Sequence, residues 1–302
     1  MHNTIIKATV MGFCAGVRRA INLALKVRAD FPDKRIFTLG QLIHNNEALH
    51  FLETHNIFAV SIEDIFEHTS DYSDSIIVLC AHGSEIGLLQ KLESIFFKVI
   101  DGTCPHVVDN QKKAQYYTKD AKMVILVGEK KHQEILSLQT YIAQVSKATI
   151  FVLETQEEAE TLQVLPSQLP VCIMAQTTIQ QAEYEKIVST VKSKFGKQAN
   201  DSITVLQTIC EATKLRQKAL NELANLSDFL VVIGGKNSTN TKKLFESAQI
   251  LQKRVCLVEN ETELPDFPCH ARIGVTAGAS TPDFVIDRVI NAIEGKYTKD
   301  TY

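Results

Sequence analysis

The chain has 302 residues, of which 45% are hydrophobic and 22% charged, with a formal net charge of −3: the ordinary composition of a soluble globular protein. A pI near 6.3 gives no global attraction to nucleic acid or to an anionic membrane, and the longest apolar runs, such as Phe229 to Ile233, are strand-length. Seven cysteines, an odd number spread over a long chain, do not suit a secreted disulfide framework, and with one early lysine, Lys7, and no small-residue cleavage pattern the expected location is the cytoplasm.

In chain order, residues 1–101 read as a first α/β unit. An opening strand leads to Cys14, followed by Val17, Ala20, Ile21, Ala24 and Leu25 at the three-and-four spacing of a half-buried helix. A strand then ends at Gly40, a helix lies near Glu47 to Leu52, and strands Ile57 to Val60 and Ile76 to Cys80 lead into Ala81-His82-Gly83-Ser84. Residues 102–208 read as a second unit. Cys104 precedes Pro105, suited to a first helical turn, with Val107, Val108, Ala114 and Tyr117 as its apolar stripe; strands then end at Gly128 and in Ala175-Gln176-Thr177-Thr178. The acidic run Glu157-Glu158-Ala159-Glu160 reads as a solvated helix face and Lys192 to Asp201 as a polar linker. Residues 209–302 read as a third unit, with Cys210 before the stripe Ala212, Leu215, Ala219, Leu220 and Leu223, strands ending at Gly234 and in Ala277-Gly278-Ala279-Ser280, and a last helix opened by Thr281 and Pro282. That helix carries Ile286, Val289, Ile290 and Ile293 on one side, and residues 296–302 read as a loose polar tail. Alternating strands and helices imply βαβ units with parallel pairing.

The three units are copies of one arrangement. Gly40, Gly128 and Gly234 stand 26, 24 and 24 residues beyond Cys14, Cys104 and Cys210, and His44, His132 and Ser238 each stand four residues beyond their glycine. The second loop follows at offsets of 68, 73 and 70 residues, at His82, Thr177 and Ser280. One supersecondary unit used three times accounts for this. Loops at the carboxyl ends of strands face the ligand in open α/β sheets, and His44, His82, His132, Glu134, Thr177, Ser238, Thr239, Asn240 and Ser280 all fall there.

A thiol at a helix N-terminus meets the positive dipole end and free N–H groups, which favour the thiolate that binds metal or attacks carbon. Three such thiolates suit zinc with a fourth ligand such as His132, or an iron–sulfur cluster. A four-iron cluster on three cysteines leaves one iron open to substrate, and separations of 90 and 106 residues differ from the compact spacing of ferredoxins. Cys80, Cys172 and Cys256 lie in strands and read as inert core. Gly234-Gly235-Lys236-Asn237-Ser238-Thr239-Asn240 offers glycine backbone, a cation, hydroxyls and amides after a strand, the parts of a phosphate cradle or simply of a helix cap. Glu134 is the candidate general acid, since an enclosed carboxyl favours its neutral form; Glu47, Glu85 and Glu129 read as solvated. No dinucleotide fingerprint occurs. A zinc-dependent phosphoester hydrolase and a non-catalytic phosphometabolite-binding protein with a structural metal share the anion loops, but neither explains three helix-capping cysteines.

Gly12-Phe13-Cys14-Ala15-Gly16-Val17, Leu42-Ile43-His44-Asn45, Ala81-His82-Gly83, Thr103-Cys104-Pro105, Gln176-Thr177-Thr178, Lys236 to Asn240 and Thr276 to Ser280 resemble the 4-hydroxy-3-methylbut-2-enyl diphosphate reductases of the non-mevalonate isoprenoid pathway. The resemblance implies α/β architecture, with three similar domains in a pseudo-threefold trefoil around one central [4Fe-4S] cluster held by Cys14, Cys104 and Cys210. It further implies reductive removal of the allylic hydroxyl to give isopentenyl and dimethylallyl diphosphates, with electrons from an external ferredoxin or flavodoxin. His44, His82, Ser238, Asn240 and Ser280 match diphosphate-binding residues, with Thr239 in place of the usual serine. His132 and Thr177 match residues near the substrate hydroxyl, and Glu134 the proton-delivering glutamate. Gln133 departs from the proline common between that histidine and glutamate.

Overall fold

Runs of branched apolar residues that are buried on both faces become parallel strands covered by helices, and this sets the layout of the computed structural model, which describes residues 4–252 and 254–298. Strand β1 spans Thr4–Lys7, helix α1 Ala15–Asp30, β2 Arg35–Leu39, α2 Asn46–Thr54, β3 Ile57–Val60, α3 Ile62–Glu67, β4 Ser75–Val78, α4 Ile86–Ile95 and β5 Lys98–Ile100. Then come α5 Pro105–Tyr117, β6 Met123–Val127, α6 Gln133–Ala143, β7 Thr149–Leu153, α7 Gln156–Thr161, β8 Val171–Ala175, α8 Gln181–Phe195 and β9 Ile203–Val205. The last group is α9 Glu211–Leu226, β10 Phe229–Ile233, α10 Thr239–Leu251, β11 Val255–Val258, β12 Arg272–Ala277 and α11 Asp283–Thr298. The described strands form three four-stranded sheets, and the fold is α/β. By contacts the chain makes two compact units, Met1–Asp64 with Leu215–Tyr302, and Ile65–Lys214.

In the first unit the sheet order is β1-β12-β10-β11, all parallel. The opening strand, expected with the first repeat, thus pairs with the last strand of the chain, Thr4 opposite Arg272. Leu230 and Val232 of β10 pack on Ala219, Leu220 and Leu223 of α9 and on Leu244 and Ala248 of α10. Val231 and Ile233 point the other way, where Val285, Ile286, Val289, Ile290 and Ile293 of α11 cover them. β2 and β3 also pair in parallel in this unit.

In the second unit the sheet order is β7-β6-β8-β9. Met123, Ile125 and Val127 face Tyr184, Ile187 and Val191 of α8, while Val124 and Leu126 face Ile135, Leu138 and Ile142 of α6 and Ala114 of α5. The buried Tyr184 hydroxyl donates toward the carbonyls of Ile173 at 3.2 Å and Leu206 at 2.8 Å, which satisfies its polar end inside the core. β4 pairs with β5.

Several expectations change. Lys192 to Phe195 are the last turn of α8, followed by a short 3₁₀ turn at Lys197–Ser202, so the polar stretch is no linker. The last helix continues to Thr298, and only 299–302 of the expected tail lie outside the described residues. Tyr117 and Leu215 face solvent at 47% and 45% exposure, and Asn110, Gln111 and Arg216 are buried in the neighbouring positions. Helices α3 and α4 fall in stretches with no predicted element.

Gly102 lies where the chain turns from β5 toward Cys104, and an added Cβ there would sit 2.1 Å from the Leu79 carbonyl oxygen. That neighbour is backbone and cannot swing away. Gly102→Ala is therefore expected to destabilise by about 1–3 kcal/mol, the usual cost of overpacking; an unchanged denaturant midpoint would show that the loop yields.

Candidate functional site

Three cysteines occupy equivalent positions. Cys14 caps α1, its Sγ accepting the Val17 N–H at 3.4 Å; Cys104 caps α5, with Pro105 in the first turn; Cys210 immediately precedes α9, its carbonyl accepting the N–H of Thr213 at 2.9 Å. Each cysteine N–H donates to a carbonyl of the loop that ends a neighbouring strand: Cys14 to Ala279 at 3.2 Å, Cys104 to Ala81 at 2.9 Å and Cys210 to Thr177 at 2.9 Å. All three are half-buried. The cysteines read as core behave as such: burial raises the Cys80 thiol, and pushes Cys172 up to about 12 and Cys256 up to about 11. Three half-buried soft donors at helix N-termini fit a thiolate-bound metal group. Among the described residues no three His, Cys, Asp or Glu side chains converge closely enough to hold a single metal ion.

The second unit assembles His82, His132, Glu134 and Thr177. Glu134, expected on a loop, lies in the first turn of α6 and is fully buried. Its carboxyl is gripped from one residue: Thr177 donates its N–H to Oε1 at 3.0 Å and its hydroxyl to Oε2 at 2.7 Å. The Thr177 carbonyl in turn accepts the Thr213 hydroxyl at 3.2 Å as well as the Cys210 N–H. Burial raises the Glu134 carboxyl above its ordinary value, against the lowering pull of the Thr177 bonds, the His82 charge and the Asn110 side chain. His82 is lowered, again chiefly by burial. His132 caps α6, its Nδ1 accepting the Glu134 N–H at 3.2 Å; a neutral ring in that role carries its proton on Nε2. The two imidazoles meet edge to face with centroids 5.1 Å apart. A carboxyl that burial shifts toward its protonated form is the kind of group that can act as a general acid.

The first unit assembles the candidate anion loop. Ser238 caps α10, so Ser238, Thr239 and Asn240 stand at a helix N-terminus, where free N–H groups and the dipole favour negative charge. Ser280 donates to the Ser238 hydroxyl at 3.1 Å and lies 3.5 Å from the His44 carbonyl. Asn240 accepts the Ala279 N–H through Oδ1 at 2.8 Å, which leaves its NH₂ end as the donor side. The His44 ring is exposed and meets the Gln41 amide oxygen at 3.2 Å. Gly235 is a close approach: a Cβ there would stand 2.6 Å from the His44 carbonyl.

The profile of the LytB protein family matches residues 5–294. The chain belongs to the LytB family. It is 38% identical over 295 residues to the 4-hydroxy-3-methylbut-2-enyl diphosphate reductase of Clostridium tetani, covering 97% of this chain and 44% of that longer protein. It is 39% identical over 290 residues to the same-named protein of Treponema denticola, covering 94% and 96%. Among solved structures it resembles the E-1-hydroxy-2-methyl-but-2-enyl-4-diphosphate reductase of Plasmodium falciparum at TM-score 0.82 and 25% identity, covering 96% and 88% of the two chains. It also resembles an (E)-4-hydroxy-3-methyl-but-2-enyl diphosphate reductase, titled the terminal enzyme of the non-mevalonate pathway, at TM-score 0.70 and 31% identity, covering 97% and 100%.

In this LytB chain two groups of supporting residues escape a reading of the sequence. Gln176, 1% exposed, accepts the Glu129 N–H at 3.0 Å and donates to the Thr178 hydroxyl at 2.7 Å; it fills the space beside Gly128, where a Cβ would meet it at 2.7 Å. On α5, Asn110 donates to the Thr208 carbonyl at 3.0 Å and Gln111 to the Ser137 hydroxyl at 2.8 Å. Their type suggests solvent. Only their place on the Cys104 helix, on the side of Val107 and Ala114, signals otherwise.

A folded-state value raised by burial means that the fold favours neutral Glu134; the stability tied to it is whole below the ordinary glutamate range and is lost as pH rises through the raised value. Thr177→Val removes a donor that favours the ionised form, so the titration should move higher still. Isotope-edited infrared spectroscopy of the carboxyl, with Glu134→Gln as the blank, measures it; a titration that stays put or moves down would separate Thr177 from the tuning of Glu134.

Proposed function

We propose that the chain performs the reaction its LytB relatives are named for, the reduction of 4-hydroxy-3-methylbut-2-enyl diphosphate to isopentenyl and dimethylallyl diphosphates. The observation that carries this reading is the buried Glu134 carboxyl held by Thr177 through both of its oxygens. A hydroxide ion is a poor leaving group, and a neutral acid at the end of an enclosed site lets it depart as water. Membership in LytB takes the place of the hydrolase and carrier readings.

On this reading the three repeats, 1–101, 102–208 and 209–302, each contribute one thiolate, and Cys14, Cys104 and Cys210 hold one [4Fe-4S] cluster with a single iron open. When bound, the cluster supplies electrons one at a time and a Lewis-acid iron. The remaining work belongs to side chains. Ser238, Thr239, Asn240 and Ser280 bind the diphosphate at the α10 N-terminus, with His44 and His82 as further donors. His132 and Thr177 orient the hydroxyl end, and Glu134 delivers the proton with which the hydroxyl leaves. Each turnover takes up two electrons and two protons and releases one water. The electrons come from an external ferredoxin or flavodoxin. Seven cysteines with no disulfide among the described residues suit the reducing cytoplasm, and among the described residues no helix is long and apolar enough to cross a membrane.

Anaerobically prepared protein should carry iron and acid-labile sulfide. Cys14→Ser, Cys104→Ser and Cys210→Ser should each lose them, and Cys80→Ala, Cys172→Ala and Cys256→Ala should keep them; stoichiometric zinc without sulfide would end the cluster assignment. Glu134→Gln keeps shape and hydrogen-bonding capacity but is no acid, so turnover with an artificial reductant should fall by about 10²–10⁴ while substrate still perturbs the iron spectrum. Near-wild-type turnover would make Glu134 a bystander.

A further inference from the structure

Two loops of the candidate site are fastened by the same device in different repeats. After β6, the turn Glu129 to His132 is closed by the His132 N–H on the Glu129 carbonyl at 3.0 Å. Lys130, inside that turn, donates its backbone N–H to Glu154 Oε1 at 2.6 Å, and Glu154 donates its own N–H to Glu158 Oε2 at 2.9 Å. The Lys130 ammonium closes the ring on Glu158 Oε1. After β10, the turn Gly235 to Ser238 is closed by the Ser238 N–H on the Gly235 carbonyl at 3.0 Å. Lys236 donates its N–H to Glu259 Oε1 at 2.6 Å, Glu259 donates to Glu263 Oε2 at 2.9 Å, and the Lys236 ammonium meets Glu263 Oε1 at 2.7 Å.

The two rings agree in every step. Each lysine stands two residues past the strand-ending glycine and two before the helix-capping residue, His132 or Ser238. Each first carboxylate follows the strand paired with that glycine's strand, β7 or β11. The second lies four residues on. In the first repeat the position of the lysine is taken by buried Leu42. The ammonium–carboxylate contacts are about half exposed and alone contribute little in solvent. The directional part is the pair of backbone N–H groups held by carboxylates, which are charge-assisted bonds. Hydrogen bonding to its glutamate raises each lysine, and bonding to the lysine lowers Glu158 and Glu263, so each lysine–glutamate pair favours its charged forms.

We propose that Glu154 with Glu158, and Glu259 with Glu263, are positioning residues that hold, through Lys130 and Lys236, the turns presenting two different loops: His132 to Glu134 for proton delivery, and Ser238 to Asn240 for the diphosphate. This rests on the division of labour under the proposed function. In the first loop, where Gln133 opens the helix in place of proline, the ring supplies stiffness that a proline's fixed φ would otherwise give.

Loosening different loops should damage different steps, which a shared loss of stability would not do. In the cluster-loaded enzyme, Glu154→Ala should lower turnover at saturating substrate by about ten-fold to a hundred-fold, the range that a displacement of about 1 Å costs, and leave inhibition by inorganic diphosphate within about two-fold. Glu259→Ala should weaken that inhibition by about ten-fold, equivalent to one lost hydrogen bond of about 1.4 kcal/mol, with a smaller effect on saturated turnover. Glu158→Gln and Glu263→Gln, which keep an acceptor and side-chain volume, should show the same split in milder form if the alanine variants fail to fold. Both variants moving the same parameter, or only the melting temperature, would overturn the proposal. Asn240→Ala is the control for the underlying reading: if it weakens diphosphate binding and Glu259→Ala does not, the ring alone is wrong; if it does not weaken binding, the loop assignment falls and the second ring's role with it.

Discussion

The hydrogen bond from a cysteine N–H to the carbonyl of a strand-ending loop is the constraint on which the site depends. It occurs at Cys14, Cys104 and Cys210, and each time it ties the first turn of a cysteine helix to a loop that carries candidate site residues. Cysteine position and loop position therefore cannot vary independently. Thr177 shows this most fully, because its carbonyl receives Cys210 and Thr213 while its N–H and hydroxyl hold Glu134. A residue of this size that satisfies four polar contacts while 7% exposed leaves the carboxyl almost no freedom.

Electrostatics then follows from enclosure more than from neighbours. Glu134 accepts two hydrogen bonds that favour its ionised form, yet burial outweighs them and shifts the carboxyl toward its neutral form. The anion loop uses the opposite arrangement. Ser238, Thr239 and Asn240 stand at a helix N-terminus with hydroxyl and amide donors and accessible backbone, where negative charge is favoured. One chain thus places a carboxyl shifted toward its neutral form inside a helix's first turn, held by threonine, and a candidate anion site at a helix tip.

Much of this was legible in the residues. The recurrence of cysteine, glycine and small polar loop at near-constant offsets located the thiols, the strand ends and, in two repeats, the capping residues His132 and Ser238, because a βαβ unit of fixed size leaves little slack in those distances; in the first repeat Asn45, one residue past His44, caps the helix instead. What escaped has physical reasons. α3 has one buried apolar residue, Ile65, too few to show a period. Asn110 and Gln111 lie on the buried side of α5 because they bond to Thr208 and Ser137 across the core, so a scan for apolar residues selected Tyr117 in their stead. The run at Glu157 to Glu160 has the composition of a solvated face, and Glu157 and Glu160 are exposed; Glu158 differs only through Lys130, 28 residues away in the chain. Short-range pattern carries no information about such pairs, whereas the repeated spacing of lysine to glutamate to glutamate does.

The pairing of β1 with β12 bears on the order in which the protein can be made. Thr4 finds its partner only at Arg272, so β1 leaves the ribosome without this edge to join until β12 has followed it. The unit from Ile65 to Lys214 is continuous in sequence and can pack while the rest is still emerging, as domains generally do. The unit that holds Cys14 and the candidate anion loop must wait for β12, and a nascent chain stalled before that strand would hold one thiol-bearing helix without the Ala279 carbonyl that anchors it.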